Sequence, residues 1–297
     1  MRITDQTLMK NVLTDLDQTR QGLVRAQSVL ASGREVQQPS DDPARAMDAM
    51  LARSALAQNG QFHRNVGSGV DWLKATDGAL SQAGDLMQRA RQLVLQAGNA
   101  STAPADDAAL AQELGQIAEA VVGTGNQSLE GRYLFGGTQT LAAPLTATGS
   151  PPTAVTYNGN SGSVNREIGP GLSVAVNVCG DQLFTGAAGL LPALIQARTD
   201  VQAGNTAALA ADLQGIDTAL DGLTTLRTDV GARLGRLQSA QTGLGSLEVA
   251  LTQQLSGAED ADIARTATRY ATLNTAYQAA LNAAGRLLPT TLIDFLR

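Results

Sequence analysis

Six apolar residues, Ile216, Leu223, Val230, Leu237, Leu244 and Leu251, stand in uninterrupted steps of seven. Seven residues return to the same face of a helix after two turns. Such a run therefore specifies a long helix that buries one stripe against a partner helix. Leu220, Leu234 and Leu255 share that stripe. The habit recurs elsewhere. Met9, Leu16, Leu23 and Leu30 are seven apart, with Val12, Thr19 and Ala26 three positions later. Val66, Leu73, Leu80, Met87 and Val94 repeat it, and Thr76, Ala83, Ala90 and Ala97, all small, let a partner come close. Near the far end Ile263, Tyr270, Tyr277 and Ala284 alternate with Thr266, Leu273, Ala280 and Leu287.

Proline and glycine mark where these helices stop. Residues 44–103 and 193–288 contain no proline, whereas five prolines lie between 144 and 192. The first stripe ends at Ser32-Gly33, where glycine tolerates the positive φ of a helix C-terminus. The second helix is predicted from Pro43 to about Gly98-Asn99, on the order of 80 Å long, and Gly60, Gly67 and Gly69 permit it to bend. A shorter helix follows over about 106–122, with Leu110, Leu114, Ile117 and Val121 on one face. A break is predicted at Ser256-Gly257. From Tyr133 to Ala197 only Arg166, Glu167 and Asp181 are ionised. There TAVTYNG and LSVAVNV read as strands, and NGNSG and GPG as turns.

The predicted fold is thus mostly α with a small β insert, a long antiparallel helical bundle made from both termini. The predicted partition is terminal helices over 1–33 and 257–297, a connector over 34–43, a helical bundle over 44–136 and 190–256, and a β-rich domain over 137–189.

Composition narrows the function. Apolar residues are 43% and aromatics 3%, so the core must come from Ala, Leu and Val, which suits helices packed side by side. The net charge is −6 with no basic run, which argues against nucleic acid as a partner. No apolar stretch reaches the roughly 18–20 residues of a membrane span. The start, MRITDQTLMK, lacks the apolar middle of a cleavable secretory signal; the expectation is a cytoplasmic protein or one exported without cleavage. His63 and Cys179 are the single histidine and cysteine, too few for a His/Cys metal site or an internal disulfide. No glycine-rich phosphate loop or nucleophile elbow is present. No enzyme activity and no cofactor are expected.

The stretch SGREVQQPSDDPARA, Ser32 to Ala46, separates the first two helices. Asp42 is placed as the N-cap of the second helix, with Pro43 in its first turn, where the missing N–H is not needed. The carboxylates of Asp41 and Asp42 favour the positive end of the helix dipole, and Pro39 keeps Gln38 extended. As metal ligands the two aspartates lack further oxygen donors at calcium-loop spacing. The segment reads as a stop, an extended spacer and a start.

LASGREVQQPSDDPARA also resembles the connector of bacterial flagellar hook-associated proteins, and the opening MRIT resembles that family's start. GRYLFGGTQT resembles the segment before its central domain. TDVGARLGRLQSA is similar to a segment shared with flagellins, with Gly235 where the pattern usually has Asn, a change that implies a looser helix. DADIARTATRYATLNTAYQAALNAAGRLLPTTLIDFL resembles the family's terminal helix. The resemblance covers residues 1–140 and 215–297. PSDDP, the closing DFL and one small insert set the chain apart from flagellin and favour the junction members of the family.

The resemblance implies a structural subunit at the junction of hook and filament. It would form a ring with copies of itself, between the first hook-associated protein and flagellin. The terminal helices would form an inner tube, with Met9, Leu16, Leu23, Leu30, Ile263, Tyr270, Leu273, Tyr277, Leu281 and Phe295 at subunit interfaces and Pro39, Asp41, Asp42 and Pro43 in the connector. It further implies export by the flagellar type III apparatus, a cytoplasmic chaperone on the C-terminal helix, and a place outside the cell. Alternatives are flagellin itself and, from the heptads alone, a cytoplasmic coiled-coil scaffold.

Overall fold

The computed structural model describes residues 5–99 and 104–295. Six α-helices are present among them: α1 (Asp5–Ser32), α2 (Pro43–Asn99), α3 (Pro104–Gly125), α4 (Leu190–Gln202), α5 (Leu209–Glu259) and α6 (Ile263–Phe295). The chain forms two compact units, one from residues 1–58 and 247–297, the other from 59–246.

In the first unit α1 packs against α6. The Gly22 position leaves room for Leu273, whose methyl carbons would lie 3.5 and 3.6 Å from a Cβ there. α1 ends as its stripe demands: Gly33 takes φ 72° and its N–H donates to the Val29 carbonyl at 2.8 Å. The expected break at Ser256-Gly257 moves three residues on. α5 continues through Gly257 to Glu259, although an interior glycine costs about 1 kcal/mol. The anchoring of Glu259 described below offsets that cost.

The second unit holds the main core. Val66, Leu73, Leu80, Met87 and Val94 of α2 are all fully enclosed, as are the small residues Thr76, Ala83 and Ala90. Opposite them lie Ile216, Leu223, Val230 and Leu237 of α5. The two helices run antiparallel: Asn59 Nδ2 donates to the Leu244 carbonyl at 3.1 Å, Arg227 pairs with Asp77 at 3.1 Å, and Arg91 with Asp217 at 2.6 Å. α3 buries the predicted Leu110, Leu114, Ile117 and Val121 and packs on α4.

Three antiparallel hairpins connect α3 to α4: β1 (Ser128–Leu129) with β2 (Arg132–Tyr133), β3 (Leu145–Thr148) with β4 (Ala154–Tyr157), and β5 (Asn165–Gly169) with β6 (Leu172–Ala175). The two predicted strands are β4 and β6. The hairpin segment does not separate as a unit of its own. Two-stranded ribbons cannot enclose a core, so Leu145, Val174, Val176 and Phe184 join the helical core instead. Phe135, from GRYLFGG, meets Phe184 edge to face at 5.1 Å. The following Gly137 needs φ 68°, and a Cβ there would lie 2.0 Å from the Asn160 carbonyl oxygen.

Candidate functional site: the connector and the terminal helices

The connector is a dense polar junction built within the first unit. Asp42 caps α2 as predicted, its Oδ1 accepting from the N–H groups of Ala44 and Arg45, each at 3.1 Å. Asp41 has a different task. Its Oδ2 accepts from the N–H groups of Gln37 and Gln38, both at 3.1 Å, and its Oδ1 lies 3.3 Å from Arg25 of α1. The Gln37 N–H, then that of Gln38, hold its carboxyl below the ordinary range, with Arg25 adding a smaller push. Asp41 therefore folds the spacer back on itself and ties it to α1. Gln37 makes a second tie, its Nε2 donating to Ser32 Oγ at 2.8 Å. Pro39 is exposed beside these contacts.

The turn between α1 and α2 mates with the turn between α5 and α6. Glu35 N–H donates to the Glu259 carbonyl at 2.7 Å and Ala261 N–H to the Gly33 carbonyl at 3.0 Å, forming an antiparallel bridge between Arg34 and Asp260. The Glu259 side chain locks the pair. It is 3% exposed, and its Oε2 receives Arg34 at 3.2 Å and Arg53 at 2.6 Å, both arginines being about half exposed. Arg45 bridges to Glu35 at 2.8 Å. Nothing in the local pattern of the sequence marks Glu259, because its partners lie far away along the chain.

Of the predicted interface residues, Leu16, Leu23, Leu30, Tyr270, Leu273 and Tyr277 are half-buried, while Ile263 and Leu281 are exposed. The side chains of Met9 and Phe295 lie outside the described residues. Among the described residues, large exposed apolar side chains concentrate in this unit: Leu13, Val24, Met47, Met50, Leu51, Leu247, Val249, Ile263 and Leu281, against Leu141 and Leu172 in the other.

The second unit contributes one perturbed acid. Asp212, 6% exposed, faces Asp200, which accepts from Gln196 at 2.6 Å and Asn205 at 3.0 Å. Burial, then the neighbouring Asp200, push the Asp212 carboxyl up to about 6. Cys179 is a free, half-buried thiol; burial raises its pKa, the reverse of an activated nucleophile. His63 is half-buried on α2. Among the described residues no group of three or more His, Cys, Asp or Glu could hold a metal ion, and no helix is long and apolar enough to cross a membrane.

Heptad-striped helices from both ends of one chain, locked at paired turns, define a class. Two family models match: the bacterial flagellin N-terminal helical region over residues 3–140 and the bacterial flagellin C-terminal helical region over 213–296. The chain belongs to the bacterial flagellin family. Within it, the chain is 27% identical to flagellar hook-associated protein 3 of Salmonella typhimurium, covering 89% of each. It is 25% identical to flagellar hook-associated protein 3 of Escherichia coli, over 95% of this chain and 96% of that one. The crystal structure of Bacillus cereus FlgL superposes with a TM-score of 0.59 at 27% identity, over 69% of this chain and 99% of that one. Flagellin of Bacillus subtilis is 23% identical over the whole of both chains.

Proposed function

We propose that the chain is the structural subunit of the hook–filament junction, on which flagellin assembles. The exposed apolar surface of the first unit carries this reading. A unit whose α1, α2 and α6 leave Val24, Met47, Met50, Leu51 and Ile263 about half or more exposed is poorly covered alone and gains from neighbours. The neighbours are copies of itself in a ring, the first hook-associated protein on one side and flagellin on the other. The α1 and α6 segments, residues 1–33 and 257–297, line the inner tube, with the connector over 34–43 between them and the bundle. The hairpin segment, 137–189, faces outward. The protein acts without catalysis or cofactor. It leaves the cell through the flagellar type III apparatus, its C-terminal helix held beforehand by a cytoplasmic chaperone.

Deleting the coding region tests this. Bare hooks with unpolymerised flagellin in the medium are the expected result. Loss of the filament together with its secreted protein would assign the chain as flagellin, and normal swimming would remove the flagellar role. In dilute monomer, the parts of α1 and α6 distant from the paired turns should exchange amide hydrogens fast.

A further inference from the structure

The first unit carries two exposed features of matching chemistry. One is the outer face of α2, where Met47, Met50 and Leu51 are 64, 64 and 62% exposed. They occupy i, i+3 and i+4 positions and so share one face, with exposed Asp48 at its edge. Among the described residues Asp48 makes no ion pair. The other is a cleft of about 460 Å³ between α1 and the connector, lined by Val24 with the buried Val29 beneath it and edged by Arg20, Arg25, Asp41, Gln37 and Gln38. Val24 is 56% exposed. Because both features stay open, they do not cover each other within one chain.

We infer that the α2 face of one copy seats in the α1–connector cleft of the next. The exposed Val24 offers the apolar contact, and methionines adapt readily to an irregular, partly polar cleft. The charges also correspond: the acidic Asp48 meets a rim on which Arg25 and Asp41 offset each other and Arg20 is left in excess. Arg25 already serves Asp41, whereas the one ion pair of Arg20 among the described residues is a loose 3.6 Å contact to Asp17 of its own helix, so Arg20 is the partner of Asp48. Exposed pairs of this kind add little affinity but set orientation. Face and cleft are different surfaces, so the contact is head to tail and repeats from copy to copy, as a ring requires. The inference rests on the ring proposed above.

The test uses two tagged gene copies in cells lacking the native one, both carrying Cys179→Ser, one with Val24→Cys and the other with Met47→Cys. Purified flagella are oxidised and resolved without reductant. The expected result is a disulfide-linked band bearing both tags and absent when either variant is expressed alone. Asp48→Arg in the Met47→Cys copy should reduce that band several-fold, and Arg20→Asp in the other copy should restore it. A band from Met47→Cys alone, or no mixed band from flagella containing both chains, overturns the inference. If the cysteine variants do not assemble, the charge swap in the native chain decides: Asp48→Arg should impair filament formation and Arg20→Asp should rescue it, and failure of rescue overturns the contact. Absence of even the Cys179→Ser parent from flagella removes the junction role itself, and with it the contact.

Discussion

The lock at Glu259 makes an asymmetric prediction. Its carboxylate is 3% exposed, while Arg34 and Arg53 are 54 and 50% exposed. Glu259→Gln leaves two arginines free to turn into water. Removing both arginines instead leaves a buried carboxylate without a countercharge, and its Oε1 already lacks a hydrogen-bond partner among the described residues. Breaking a buried pair from the side that strands a charge costs about 3–5 kcal/mol. Half-exposed arginines place the double variant Arg34→Ala/Arg53→Ala at the lower end, about 3 kcal/mol. Glu259→Gln should cost roughly 1 kcal/mol, because an amide keeps most of the shape and part of the hydrogen bonding. The assay is native-state hydrogen exchange at the Glu35 and Ala261 amides, which close the paired turns. The double arginine variant should lose roughly a hundredfold in protection there, and Glu259→Gln less than tenfold. Equal losses, or a larger loss for Glu259→Gln, would refute the claim that desolvation of the carboxylate governs this junction.

Asp42→Ala should remove both hydrogen bonds to the Ala44 and Arg45 amides and lower local stability there by about 1 kcal/mol, read by exchange at those two positions; unchanged protection would sink the capping role. Asp212 binds its proton more tightly folded, about pH 6, than the ordinary value of 3.8. The folded state therefore carries the extra proton between those values, and stability falls as pH rises through that window, by on the order of 1–2 kcal/mol after allowance for screening. Melting of the second unit should be higher at pH 5 than at pH 7.5, and Asp212→Asn should flatten that difference. Gly235 lies exposed inside α5 with open space around its missing Cβ. Gly235→Ala should raise stability by about 0.5–1 kcal/mol, and a lower denaturation midpoint would show that the glycine serves a contact within the folded chain.

Much of the fold was legible because heptad spacing and helix ends are local codes. Ser32-Gly33, Pro43 and Asn99 bound helices where the pattern places them, and Asp42 caps α2 by a contact two and three residues away. α4 was less visible: LLPALIQARTDVQ buries Leu190, Leu191, Leu194, Ala197 and Val201, a helical spacing masked by Pro192 and by the glycines before it. The sequence by itself determined which stretches are helical, which faces are apolar and where the connector turns. Only the tertiary structure decided that α5 runs past Gly257, that Asp41 binds backbone and Arg25, that Glu259 joins Arg34 and Arg53, and that the hairpins merge with the helical core. Those outcomes depend on groups as far as 225 residues apart in the chain, Arg34 and Glu259. Burial and desolvation, which no local pattern records, set their energies.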